Sequence, residues 1–153
     1  MKKVILAIIL IFCLAGVTWA GEYAGMKDTV EVEPGLFLTV NSAKLTTSGF
    51  MEPENDVFLI FDCTFENKSN KPIHVSSALQ LNIIDADGYQ EDLSFSVKTK
   101  GSLDGIIANG QRMRGEIGFD VEAGTLIEFF SYKPLMGTPT LFKVDITPTL
   151  EAP

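Results

Sequence analysis

Residues 56–72, DVFLIFDCTFENKSNKP, constrain this chain more than any other stretch. Val57, Leu59, Phe61, Cys63 and Phe65 alternate with Phe58, Ile60, Asp62, Thr64 and Glu66. A period of two sends successive side chains to opposite faces, so the spacing predicts one long strand with one buried face. The cluster Asn67-Lys68-Ser69-Asn70-Lys71-Pro72 ends it. Asn and Ser side chains bond nearby backbone, and Pro has no N–H to extend a ladder.

The rest of the chain repeats this grammar on a smaller scale. Residues 29–33 alternate as a short edge strand closed by Pro34-Gly35. Residues 36–45 form the next strand, with Leu36, Leu38 and Val40 on one face. Phe37 and Ala43 fall out of phase, which predicts a bulge or change of face near Asn41-Ser42. Residues 46–55 form a loop, with Phe50 and Met51 expected to fold back onto the sheet. Residues 73–84 hold a second strand with Leu79, Leu81 and Ile83 on one face. Asp85-Ala86-Asp87-Gly88 then makes a hairpin turn, because Asp-Gly tolerates positive backbone angles, and Tyr89 onward returns antiparallel. Phe95 and Val97 are expected to continue that arm.

Residues 98–104, KTKGSLD, read as a polar loop, and Asn109-Gly110 as another turn. Met113, Gly115, Ile117, Phe119 and Val121 alternate against Arg112, Arg114, Glu116, Asp120 and Glu122. Residues 125–132 form a strand with Ile127 and Phe129 opposite Leu126, Phe130 and Tyr132. Residues 141–147 form the last, with Phe142, Val144 and Ile146 together. No helical spacing appears beyond the first 20 residues. Many short strands separated by turns indicate an all-β fold, an antiparallel β-sandwich. Phe58, Ile60, Phe130 and Tyr132 lie opposite the expected core. Either residues 36–45 or the last strand cover them, or they form an exposed apolar patch of the kind that marks partner surfaces.

The start of the chain is of another kind. Lys2 and Lys3 precede a nearly unbroken apolar run, residues 4–17, and Thr18-Trp19-Ala20 supplies small residues before Gly21. This is the pattern of a secretory signal peptide cut after Ala20, with an uncleaved anchor helix as the alternative. Cys13 is a poor lipidation site, because bulky Phe12 precedes it. The expected organisation is a signal at 1–20, a flexible lead and edge strand at 21–35, an immunoglobulin-like sandwich at 36–148 and a tail at 149–153. No stable membrane span remains after cleavage, and the destination is secretion, the periplasm or the cell surface.

Removal of residues 1–20 takes two lysines and no acid, which moves the net charge from −8 to −10. An acidic surface repels phosphate backbones and anionic lipid, so nucleic acid is not expected as a partner. Cleavage also leaves Cys63 as the one cysteine, so no internal disulfide can form. The 46% of hydrophobic residues must hold the domain instead. Cys63 itself reads as a small buried hydrophobe.

Together these features resemble a family of secreted bacterial and archaeal immunoglobulin-like domains of unknown function, many of them lipoproteins, some mislabelled as telomeric repeat-binding factors. The resemblance rests on Asn67, Ser69, Lys71 and Pro72, then Asp85, Asp87, Gly88 and Tyr89, then Gly110, Gly115, Phe119 and LIEFFSY at 126–132. Asn109 stands where the family usually has Pro, and the lipidation Cys common in the family is missing. The resemblance implies the immunoglobulin-like sandwich and an extracytoplasmic location. It implies no catalytic residues.

The residues suggest little chemistry of their own. His74 is the sole histidine, so a triad or zinc cluster has no second imidazole. Asp85 and Asp87, with Glu91 or Asp92, are candidate calcium ligands, although a plain hairpin turn explains the same residues. No cofactor is expected, with calcium at Asp85 and Asp87 as the alternative. Met26, Met51, Met113 and Met136 lack the clustering of a copper site. Asn67-Lys68-Ser69 fits an N-glycosylation acceptor as well as a turn. No nucleophile–base pair can be named, so an enzyme is not expected. The reading that remains is an exported, non-enzymatic binding module for an unknown protein or cell-envelope component. Its interaction loops are 46–55, with Phe50 and Met51, and 98–104, with Lys98, Lys100 and Ser102. The alternatives are a protease inhibitor that inserts residues 98–104, or a calcium-binding surface domain.

Overall fold

The computed structural model describes residues 23–91 and 93–150. The expected signal segment, with Cys13, lies outside the described residues, as do Asp92 and the last three residues of the expected tail.

Eleven strands and one helical turn follow in order: β1 (Ala24–Gly25), β2 (Thr29–Glu33), β3 (Leu36–Thr46), β4 (Val57–Asn67), β5 (Ile73–Val75), α1 (Ser77–Gln80), β6 (Leu81–Asp85), β7 (Gln90–Glu91), β8 (Gly105–Ile107), β9 (Arg112–Val121), β10 (Ile127–Tyr132) and β11 (Thr140–Ile146). They make two main sheets, β2-β3-β4-β9 and β1-β11-β10-β6-β7, with a small β5-β8 ladder. The chain is an all-β sandwich.

β4 is its centre. It pairs antiparallel with β3 and β9 along nearly its whole length. Its odd-numbered side chains, Val57 to Phe65, are fully buried. They meet the second sheet through rings: Phe61 lies 5.0 Å from Phe130 and Phe65 lies 5.8 Å from Tyr132. A buried ring of this size contributes about 2–3 kcal/mol by removal from water, so these contacts hold the layers together. The expected bulge falls between Val40 and Ser42. The Asp-Gly hairpin returns as expected, with Ile84 opposite Gln90.

Four expectations need correction. Within residues 73–84 the expected strand is present as β6 with Leu81 and Ile83 on its buried face, but Leu79 is not part of it. It belongs to α1, because Ser77 is held from outside: Asp104 accepts from its backbone N–H at 2.7 Å and from its hydroxyl at 2.8 Å. The turn throws Leu79 outward, 69% exposed. Second, β10 shifts register between Ile127 and Phe129, so Ile127 joins Phe130 and Tyr132 in the core while Phe129 faces out. Third, Phe95 and Val97 do not extend the hairpin; β7 stops at Glu91 and the chain bends away. Fourth, the expected flexible lead contains β1, which pairs parallel with β11, and Tyr23 packs edge-on against Phe129 at 4.8 Å.

Candidate functional site

β9 is an outer strand of its sheet, but its free edge is occupied. Residues 93–104 run along it as an irregular strap. Leu93 bridges Phe119 and Gly101 bridges Gly115. Ser94 N–H donates to Gly118 C=O at 2.9 Å, and Glu116 N–H donates to Lys100 C=O at 2.8 Å. Two glycines in β9 permit this approach. A Cβ on Gly118 would stand 2.2 Å from Val97 Cγ1, and one on Gly115 would stand 2.7 Å from the Ser102 backbone. Glycine inside a strand commonly marks such a close approach.

The strap explains the apolar half of the outer face. Phe58, Ile60 and Val97 form a second buried cluster on that side of the sheet. Val97 of the strap packs on Phe58 and Ile60, and the loop at Gly49 lies against Phe58, a cover that the sequence assigns to residues 36–45 or the last strand. Beyond the strap the same face turns polar. Arg114 donates twice to Asp62, at 2.9 and 2.7 Å, and Asn41 donates to it at 2.9 Å. The Arg114 guanidinium holds the Asp62 carboxyl below its ordinary range, against partial burial. Partial burial works to raise Glu116 as well, but the Lys44 ammonium at 2.6 Å and the Lys100 amide at 2.9 Å prevail and lower it.

The loop 47–56 is tied to the strap. Phe50 N–H donates to Ser96 C=O at 2.6 Å. Gly49 makes room, since a Cβ there would meet the same carbonyl at 2.5 Å. Phe50 and Met51 do not fold back onto the sheet. They stand 75% and 64% exposed, with Phe95 beside them at 79%. A groove of about 230 Å³ opens where the two loops meet, lined by Phe50, Leu93, Phe95, Thr99, Ser102 and Asp104 among others. Three large apolar side chains thus sit in water on backbone fixed by hydrogen bonds.

The other candidate residues fall elsewhere. Lys98, Lys100 and Ser102 are exposed, but residues 98–104 do not protrude; the bonds to Gly115 and Glu116 keep them against β9. Asp85 is nearly buried, and its Oδ1 accepts from the backbone N–H groups of Asp87 at 2.9 Å and Tyr89 at 2.8 Å. Among the described residues no group of three or more His, Cys, Asp or Glu gathers. His74 is exposed on β5. Cys63 is buried, and burial pushes its thiol well above the usual range, which suppresses the reactive thiolate. Asn67 is fully buried. Its Nδ2 donates to the Lys71 and Ile107 carbonyls, both at 2.8 Å, which uses both amide hydrogens and leaves no room for a glycan.

Sequence reasoning missed Phe95 as a member of the exposed group and missed the strap. Gly115 and Gly118 were the available signal, two glycines within one otherwise regular strand.

The profile of the family described as "Domain of unknown function (DUF4352)" matches residues 25–139. No curated protein matches the chain. Solved structures share the fold. The yjhA protein of Bacillus subtilis superposes with a TM-score of 0.69 at 16% identity, over 80% of this chain and 99% of that one. The secreted protein MPT63 of Mycobacterium tuberculosis gives 0.61 at 15% identity, over 83% of this chain and 97% of that one. The candidate lipoprotein ycdA of Bacillus subtilis gives 0.63 at 15% identity, over 80% of this chain but 39% of that one.

Proposed function

The chain belongs to the DUF4352 family, and from that premise we propose that it is an exported, non-enzymatic, immunoglobulin-like interaction module. It contacts a protein of the cell envelope through the joined loops 47–56 and 93–97. The observation that carries this reading is the trio Phe50, Met51 and Phe95, all exposed by more than half. Exposed apolar groups gathered on one surface cost solvation, and they are kept where a partner covers them. Rigid backbone beneath them lowers the entropy lost on binding. The apolar run at 4–17 and the secreted neighbour MPT63 support export.

The inhibitor alternative needs residues 98–104 to project into a protease, and their bonds along β9 argue against that. The calcium alternative needs Asp85 to turn its carboxylate away from the hairpin amides it serves. The interaction reading is tested by affinity capture from cell-envelope extract with the wild-type chain and with Phe50→Ser/Met51→Ser/Phe95→Ser. One discrete partner retained by the wild type and lost from the variant is expected. A wild type that captures nothing above background, or a variant that captures the same partner equally, ends it.

A further inference from the structure

The exposed trio Phe50, Met51 and Phe95 stands in a field of mostly one sign. Loop 47–56 carries Glu52, Glu54 and Asp56 and no base. It is bonded to the end of β9, where Asp120 and Glu122 add two more acids. The Glu54 and Asn55 N–H groups donate to the Asp120 carboxylate at 2.6 and 3.1 Å, and Ala123 N–H donates to Asp56 at 2.9 Å. Five carboxylates thus share one hydrogen-bonded unit with Phe50 and Met51.

These acids differ from those along the strands. Asp62 pairs with Arg114, Glu66 with Arg112, Glu116 with Lys44 and Glu128 with Lys143. Among the described residues, none of the five beside the trio forms an ion pair. Glu52, Glu54 and Glu122 are exposed. Lys44 is held by Glu116, and the Lys100 amide is bonded to that same carboxylate. Lys98, exposed on the strap, is left against the five acids. The rings favour the same sign of ligand, because an aromatic face attracts a Lys or Arg cation. The chain itself makes that contact twice, with Lys68 over Phe37 at 4.5 Å and Lys143 over Phe129 at 5.4 Å.

We propose that the partner of this surface is a cationic protein segment. It sets an apolar side chain against Phe50, Met51 and Phe95, and Lys or Arg side chains against Glu52, Glu54 and Glu122. The inference rests on the interaction reading above and adds the partner's charge to it. The apolar contact supplies most of the affinity. Opposite charge around its rim steers the encounter, rejects acidic partners and is screened by salt.

Amide NMR on the full chain tests it with three short synthetic peptides: lysines flanking a Leu-Phe centre, glutamates flanking the same centre, and lysines flanking a Ser-Ser centre. The first should shift amides in residues 50–54, 95–97 and 122, and its affinity should fall about tenfold as salt rises from about 0.05 to about 0.5 M. Glu52→Gln/Glu54→Gln/Glu122→Gln, all at exposed positions, should weaken it by about the same factor. The other two peptides should bind at least about tenfold more weakly. Equal binding of the two Leu-Phe peptides at this surface, or a neutralised variant that binds as wild type, overturns the charge inference and leaves the apolar reading standing. Equal binding of the Ser-Ser peptide, or no shift there with any peptide, overturns the inference whatever the capture experiment gives.

Discussion

Asn67 shows how one side chain can close an end of the fold. Its amide group donates to Lys71 and Ile107 carbonyls, its Oδ1 accepts from Ser69 N–H at 2.9 Å and Ser69 Oγ at 2.7 Å, and the Asn67 side chain itself is fully buried. Asn67→Ala strips the donor from the buried Ile107 carbonyl and undoes the turn held by its Oδ1. Chemical denaturation should show a loss of at least about 2 kcal/mol. A loss below half of that would mean water replaces the amide. Gly115 is a second such residue. Gly115→Ala drives a methyl into the Ser102 backbone, which cannot rotate away, whereas Gly118→Ala meets the Val97 side chain. Gly115→Ala should cost about 1–3 kcal/mol in the same measurement. Asp62 carries a pH dependence. Its folded pKa is depressed, so its contribution is present above the unfolded value and lost as pH falls through the folded one. Arg114 is exposed, so solvent screens the pair and its contribution is small. Arg114→Ala should narrow its stability gap to wild type below about pH 4, and a gap that widens there contradicts the assignment.

At the scale of elements, the strap on β9 is the unusual part. It caps an edge that would otherwise offer free N–H and C=O groups to another chain. It also covers Phe58 and Ile60 through Val97. Val97→Asp should lift the strap and bare both side chains. Increased binding of a hydrophobic dye, with the two main sheets retained by circular dichroism, is the expected result; unchanged dye binding would show that the strap does not cover them. This element also marks how far the sequence could be read. β4, the bulge at Asn41-Ser42 and the Asp-Gly hairpin are local: periodicity and turn chemistry within a few residues decide them. The strap, the helical turn that exposes Leu79 and the shift that turns Phe129 outward are decided by contacts distant in sequence, such as Asp104 on Ser77 and Gly118 under Val97. The candidate loop 46–55 was legible from its turn residues. Its link to Phe95 was not, because backbone bonds from Phe50 and Met51 to Ser96 C=O make it.

The whole molecule is a sandwich that carries an apolar knob of Phe50, Met51 and Phe95. The knob lies beside the strap, toward the acidic end whose turns carry Glu52, Glu54, Asp87 and Glu122. Site-specific photo-crosslinking in intact cells tests the interaction reading most directly, with the reactive side chain placed at position 50, 95 or 89. Tyr89 is 72% exposed in the hairpin turn at the acidic end and serves as the control. Positions 50 and 95 should yield the same discrete protein adduct, and position 89 should not. No adduct from 50 and 95, or an equal adduct from 89, would contradict the account.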